Sequence, residues 1–433
     1  MKTAPASSGA QPDGVSDAAR RYALGLLLLA YVINYVDRQI VTILQEPIKA
    51  DLGLSDTQLG LLTGLSFALF YATAGVPIAR IADRRSRRSL IAAATALWSV
   101  MTMACASAGN FVSLVLFRMG VGIGEAGLSP PAHSLISDYY PPEKRAAALG
   151  IYSSGIQIGV MLGFLLGGVI EHYFGWRAAF LIVGMPGLLL AVLIKFTMVE
   201  PARGRFDAAP AEAPEGFGAA MRRLWSIRAF RYAVLACGLH TLTLYGHGHW
   251  SPPYLGRVHE MPLREIAMWL ALLAIGPGAI GLWVSGIVSD RLQRRYARAP
   301  LWVAIGSIAL LIPFEMGYIL APNVAAALAF STVTHFLGGV YLAPVIAFSH
   351  SLVGPRLRAS ASAVLLLGLN LIGLGLGPLL VGSISDALAL EHGVQSVRYA
   401  MLAVVPAEVA ALALFALAAR YAGRNNGETY GPA

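Results

Sequence analysis

Charge is scarce in this sequence: only 13% of its 433 residues are Asp, Glu, Lys or Arg. A soluble globular chain carries about 25%, so the water-facing surface that a soluble enzyme or a nucleic-acid binder needs is missing. Cysteine is scarcer still. Cys105 and Cys237 are the only two, and both lie in apolar stretches. Neither a disulfide framework nor a CxxC metal site can be built from them. No phosphate-cradling Gly-x-x-x-x-Gly-Lys-Ser/Thr stretch occurs, which argues against ATP hydrolysis. The first residues lack the basic start of a secretory signal and carry Asp13 and Asp17 instead. They read as a disordered cytoplasmic tail.

What the chain has is apolar length. Hydrophobic residues make up 57% of it, and its mean hydropathy is +0.64. Apolar runs of about 20 residues recur from end to end, enough for helices to cross a hydrocarbon core about 30 Å thick. Twelve segments stand out, near 21–45, 57–81, 89–108, 111–137, 146–171, 177–199, 229–253, 265–289, 300–320, 324–352, 359–386 and 397–420. Open strands leave backbone groups unsatisfied in lipid, so helices are expected. The 46 glycines suit close packing between membrane helices.

Lys and Arg set the orientation. With the N-terminus inside, 25 of the 32 fall in inside segments, 5 in outside loops, and Arg38 and Arg118 within helices. Both termini are therefore expected in the cytoplasm, and the net charge of +9 needs no nucleic-acid partner. The expected fold is an all-α membrane protein of twelve transmembrane helices, arranged as two six-helix, pseudo-symmetric bundles around a central cavity. The parts are a tail over 1–20, a first bundle over 21–199, a cytoplasmic linker over 200–228, a second bundle over 229–421 and a tail over 422–433. In the linker, Phe217, Met221, Leu224 and Trp225 at helical spacing beside Arg222, Arg223 and Arg228 suit a short amphipathic helix on the membrane surface. A plain tether is an equal reading.

The halves repeat each other. Ala79-Arg-Ile-Ala-Asp83-Arg84-Arg85-Ser86-Arg87-Arg88 follows the second segment, and Gly286-Ile-Val-Ser-Asp290-Arg291-Leu292-Gln293-Arg294-Arg295 follows the eighth. Pro142-Glu-Lys-Arg145-Ala is echoed by Pro355-Arg-Leu-Arg358-Ala, and Gly163 to Gly168 by Gly377 to Gly382. Three ordered echoes at nearly one offset indicate duplication, as in many secondary transporters. The repeated Asp-Arg-x-x-Arg-Arg loop in a six-plus-six chain resembles the major facilitator superfamily. That family's loop has Gly where Ala79 and Ser86 stand in the first copy and where Gln293 stands in the second. Asp83 and Asp290 are suited to the N-terminus of a helix in the opposite half, near Arg358 and Arg145, where the helix dipole favours an anion. They would act there as conformational latches, with Arg84, Arg87, Arg88, Arg291 and Arg294 around them; topology marking is the plainer reading.

Ionisable residues inside apolar helices are costly, so they pair or line wet cavities. Asp37 lies about 24 Å along the first segment, and Arg118 about 10 Å into the fourth from the other face. Arg118 and Glu125, seven apart, share a face. An Asp37/Arg118/Glu125 cluster is thus expected, either as a proton-linked switch or as a static ion pair. Glu408 is a candidate second ionisable cavity residue, whereas Glu315 lies near a helix end and is expected to be solvated. Asn34, Arg38, Arg118, Gln157, His240, Tyr245, His335 and Asn370 are candidate substrate contacts. His247 and His249, two apart on a helix, point about 200° apart and are not a metal pair. Gly159, Gly163, Gly167 and Gly168, with Gly373, Gly377 and Pro378, are expected to pack helices closely, although Phe164 stands where antiporters of the superfamily often have Pro.

Asn34-Tyr35-Val36-Asp37-Arg38 joined to Arg118-Met-Gly-Val-Gly122-Ile-Gly124-Glu125-Ala126, Ser137-Asp138 and Arg145 resembles the spinster family, and the chain is identified as a bacterial member. That resemblance implies transport of sphingolipids or lysophospholipids, with Asp37, Arg118 and Glu125 as the proton-linked group. The expected function is secondary active, proton-coupled transport of an amphiphile by a monomer in the inner membrane, without a cofactor. A small organic-anion symporter is the alternative, and a receptor without transport is disfavoured. The headgroup is expected near the first half and the acyl tail along a more apolar second half.

Overall fold

The computed structural model describes residues 15–206, 217–293, 299–353 and 357–425. In the first half the helices are α1 (Asp17–Ile43), α2 (Gln45–Leu52), α3 (Asp56–Thr63), α4 (Leu65–Arg84), α5 (Arg87–Cys105), α6 (Phe111–Glu125), α7 (Ser129–Tyr139) and α8 (Pro142–Thr197). After the linker helix α9 (Phe217–Ser226) come α10 (Arg228–His259), α11 (Leu263–Leu273), α12 (Ala279–Gln293), α13 (Ala299–Ile319), α14 (Val324–Gly338), α15 (Leu342–Ser351), α16 (Arg358–Gly368), α17 (Gly377–His392) and α18 (Ser396–Asn425).

These helices make twelve crossings, six in each half. The pairs α3–α4, α6–α7, α11–α12, α14–α15 and α16–α17 each form one broken crossing. Two of the breaks are π-helical turns, at Ala274–Gly278 and Leu369–Leu376. Breaks of this kind persist in lipid only where protein covers the freed backbone groups or a cavity solvates them. α8 supplies two crossings, because Gly175 at φ 77° turns the chain back on itself in a region that favours glycine. Nine stretches among the described residues are long and apolar enough to cross a membrane. α10 is not one of them, since it carries His240, His247 and His249. It is nevertheless 32 residues long and buries those histidines between its neighbours.

Glycine stripes set the packing inside each half. In α8, Gly159 and Gly163 lie against the backbone of α1, where an added Cβ would meet the Val32 and Val36 carbonyls at 2.6 and 3.0 Å. In the second half Gly373 lies against Thr241 and Gly377 against the Leu242 carbonyl, so the same interface recurs with α10. Gly167 meets Ile43 in α1, while Gly168 reaches across to Ala267 in α11 and joins the halves. Phe164, buried at 7% exposure, faces the central cavity. Pro378 accepts a hydrogen bond from Trp250 Nε1 at 2.9 Å.

The linker carries a short helix, α9, over the residues where one was expected. Ala220 and Leu224 of α9 are buried in a core shared with Phe230, Leu301 and Phe415, so α9 docks on the second bundle and leaves Trp225 exposed. The basic loop after α4 also has an internal partner. Arg87 is buried and pairs with Asp138 and Glu200, while Arg88 donates to the Met198 carbonyl at 2.9 Å. Arg145 donates to the Ser137 carbonyl at 2.9 Å. These bonds all lie within the first half. Arg84, Arg291 and Arg358 are exposed. The Asp83 and Asp290 side chains and Arg294 fall outside the described residues, as do 1–14, 207–216 and 426–433.

Glu200 lies beyond the end of α8. Although burial raises its pKa, bonds from Ser86, the Arg87 amide and the Arg87 guanidinium outweigh that and hold the carboxyl below the usual range. A depressed folded-state pKa contributes stability above the unfolded value of about 4.3, and that contribution is lost as pH falls through the folded value. Glu200→Gln is therefore expected to lower the thermal unfolding midpoint at pH 7, with the gap to wild type closing on acidification below pH of about 4. Melting curves in detergent across that window check it, and a gap that widens on acidification would count against the brace.

Candidate functional site

Between the halves lies a cavity of about 360 Å3. The first half contributes Gln39 from α1 and Gln157, Val160 and Phe164 from α8. The second half contributes most of the wall, including Leu244, Leu270, Leu282, Leu342 and Leu369 on its apolar side. Its polar side is also from the second half: His247, Glu315, Tyr318, Ser331, Thr334 and His335. No Lys or Arg is among the described lining residues. The expected division, a polar first half and an apolar second half, is not what the wall shows. The second half supplies the leucines and also most of the polar groups, as histidine, glutamate and hydroxyl side chains of α10, α13 and α14 converge there. Gln39 and Gln157 are the polar contribution of the first half.

The first-half charges are sealed behind the wall. Arg118 Nη1 lies 3.2 Å from Asp37 Oδ1, with side chains 3% and 2% exposed, and Thr102 Oγ1 donates to the other Asp37 oxygen. Glu125 does not join this pair. It takes Arg38 Nε at 2.6 Å, with Glu125 fully buried and Arg38 16% exposed. Arg38 is clamped between the rings of Tyr35, Phe67 and Tyr71 at 4.8–4.9 Å, which holds it over Glu125. The expected triad is therefore two neighbouring pairs, and Arg38 is the partner that residue spacing missed.

Among the expected substrate contacts, Gln157, Tyr245 and His335 line the cavity. Asn34 and Arg118 are buried at 1% and 2% and do not line it. Asn370 turns its amide back to the Leu366 carbonyl at 2.8 Å. His240 pairs with Glu408, Nδ1 to Oε1 at 2.5 Å, both essentially unexposed. Glu315, expected in solvent, is 4% exposed and meets His247 Nδ1 at 3.2 Å. The signal for the His240–Glu408 pair was present as depth. His240 lies about 18 Å along α10, and Glu408 about 18 Å along α18 from the other face, which brings both near mid-membrane.

One end of the cavity is closed, the end opposite the chain termini. Arg257 of α10 binds Glu46 at 2.6 Å and Asp56 at 2.6 Å, and Lys49 also pairs with Asp56. Asp386 of α17 accepts from the Asp56 and Thr57 amides at 2.9 and 2.7 Å, at the N-terminus of α3. An aspartate on the helix N-terminus of the other half is the arrangement expected for the basic loops; here it is found at the far end. Gly60 and Gly64 bring the backbone of α3 onto that of the Leu369–Leu376 turn and α17, Gly64 lying where a Cβ would meet the Gly375 carbonyl at 2.8 Å. The Gln45 amide donates to the His249 carbonyl at 2.5 Å. The cross-half hydrogen bonds described cluster at this end, so the molecule is sealed there.

Comparison with known proteins follows this geometry. The family model described as Major Facilitator Superfamily matches residues 27–378. An MFS-type efflux pump of Mycolicibacterium smegmatis is 34% identical over 404 residues, 92% of each chain. A hexuronate transporter of Bacillus subtilis is 30% identical over 280 residues, 63% of this chain and 65% of that one. The structure superposes with TM-score 0.87 and 33% identity on a bacterial homologue of the human lysosomal transporter spinster, in an inward-facing and unoccupied conformation, covering 97% of this chain and all of that one.

Proposed function

Because the chain belongs to the major facilitator superfamily, and is a multi-pass membrane transporter rather than an enzyme, we propose that its cargo is a single-tailed, lipid-like amphiphile. In this reading a lysolipid or sphingoid molecule moves by alternating access, coupled to protons, with both termini in the cytoplasm. The observation that carries the reading is the cavity wall: leucines on one side, a cluster of uncharged and carboxylate polar groups on the other, and no Lys or Arg among the described lining residues. An anion such as a hexuronate needs fixed cations to replace its hydration. The two arginines at membrane depth, Arg38 and Arg118, are instead neutralised by Glu125 and Asp37. In this reading the sealed end marks one state of an alternating cycle.

Coupling is assigned to the first-half pairs. A carboxylate held between an arginine and an apolar wall exchanges its proton when the wall or the arginine moves. Asp37→Asn removes the titrating group with little change in volume. It is expected to abolish accumulation driven by a pH gradient while substrate binding stays measurable.

Uptake into liposomes tests both parts, with labelled lysolipid, sphingoid phosphate and hexuronate offered with and without a pH gradient. Gradient-driven uptake of an amphiphile and none of hexuronate is the expected result. Uptake of hexuronate alone would overturn the cargo assignment, and unchanged pH dependence in Asp37→Asn would overturn the coupling site.

A further inference from the structure

The His247–Glu315 pair has a proton inventory that follows from its hydrogen bonds. His247 Nε2 lies 2.9 Å from the Met401 carbonyl. A carbonyl only accepts, so Nε2 carries a hydrogen. The other nitrogen, Nδ1, faces Glu315 Oε1 at 3.2 Å. Two lone pairs would repel there, so a second hydrogen sits between them, on the imidazole or on the carboxyl. In either form the pair is neutral and holds one exchangeable proton. Glu315 lines the cavity, is 4% exposed, and its Oε2 has no hydrogen-bond partner. An unpartnered carboxylate oxygen in such a place is costly unless a donor fills it.

We infer that Glu315 and His247 form a subsite for the primary ammonium group of a cationic amphiphile, which enters in exchange for the proton that the pair holds. The exchange balances: the incoming ammonium keeps its three hydrogens and its charge, the pair's proton leaves to solvent, and the site stays neutral overall. The three N–H donors then face Glu315 Oε1, Glu315 Oε2 and the freed lone pair of His247 Nδ1. No cation competes for the position, since Lys and Arg are missing from the described wall. The titratable neighbours are His240 with its partner Glu408, His249 and Tyr245 from α10, Tyr318 from α13, and His335 and Tyr341 from α14 and the turn after it. Glu408 is taken by His240, which leaves Glu315 as the carboxylate that meets the cavity. The leucine side of the wall suits the alkyl chain. This inference rests on the amphiphile reading above and narrows it to amines.

Calorimetry on the purified full chain tests it with dodecylamine and dodecanol, which share a tail and differ in charge. Titrations run at pH 7 in two buffers of different ionisation enthalpy, which reports protons released. Wild type is expected to bind the amine at least about tenfold tighter than the alcohol, as one charge-assisted hydrogen-bond set implies. It should also release about one proton per amine bound. Glu315→Gln should lose the preference and the release, with a thermal unfolding midpoint in detergent reporting that the variant is folded. His247→Gln, which keeps the carboxylate, should retain the amine preference. Equal amine preference in Glu315→Gln, or amine binding without proton release in wild type, overturns the inference. Dodecanol binding with no amine preference in wild type overturns it alone and leaves the amphiphile reading standing. Failure of both probes to bind overturns the two together.

Discussion

Arg118→Ala is expected to abolish transport and to destabilise the protein by about 3–5 kcal/mol, the cost of leaving a buried charge without its partner. Asp37 and Arg118 are 3% exposed or less as side chains, so water does not replace the lost guanidinium. Thr102 still donates to Asp37, but one hydroxyl does not balance a carboxylate. The stranded group therefore takes up a proton, and the pair can no longer switch. Asp37→Asn is also expected to cost stability, because it leaves the buried Arg118 without a counter-charge. The asparagine oxygen can still accept from Arg118, while its NH2 takes the place of the oxygen to which Thr102 donates. Adding Asp37→Asn to Arg118→Ala should recover much of the lost stability and none of the gradient-driven transport. Thermal unfolding in detergent and liposome uptake check the set. Equal melting temperatures for Arg118→Ala and wild type would show that the pair contributes nothing to the fold.

Gly60→Ala should act on the state rather than on the fold. Its added Cβ would fall on the Pro378 carbonyl, backbone of the other half, with no flexible side chain to move aside. Overpacking of this kind costs about 1–3 kcal/mol. Here the cost is confined to the state in which α3 and α17 touch, so the equilibrium moves by roughly 5- to 150-fold toward opening of the sealed end. Gly382→Ala, whose Cβ would meet the Asp56 carbonyl, should do the same. Gly281→Ala is the contrast. Its clash is with the Phe336 carbonyl, inside the second half, so it should lower stability without shifting the population. Spin-label distances across the sealed end separate the cases; identical distributions for Gly60→Ala and wild type would mean that this contact does not hold the gate.

Much of the architecture was legible because lipid leaves the backbone few choices. Apolar length marks a crossing, and the repeated loops mark the halves. The crossing of α10 was legible as the segment near 229–253 despite its three histidines, whereas the π-helical turns leave no trace in hydropathy. The buried charges were legible in part. Depth along the first and fourth segments brought Asp37 to Arg118, but depth says nothing of rotation, so Arg38 rather than Arg118 proved to be the partner of Glu125. Glu315 was misplaced for a different reason. It lies four residues before the end of α13, where a free helix end would be wet. That end is instead packed beneath the closure built on Arg257, with Tyr318 and Ile319 buried beside it. The chemistry of the cavity arises from contacts between segments that sequence order keeps apart.

The pairing of buried charges has an electrical consequence. Arg118 with Asp37, Arg38 with Glu125, and the two His–Glu pairs each contribute a cation and an anion or a neutral proton-sharing couple. Among the described residues, the buried pairs at membrane depth thus carry almost no net charge. A transmembrane voltage does about 2.3 kcal/mol of work per 100 mV on each elementary charge that crosses it, and on paired groups that move together it does almost none. The empty protein can therefore reorient against the resting potential at little energetic cost. In the proposed proton-coupled cycle, voltage acts only on the steps in which a proton or a charged cargo enters or leaves. The difference in charge between what is carried inward and what is carried outward would then set how strongly the membrane potential drives it.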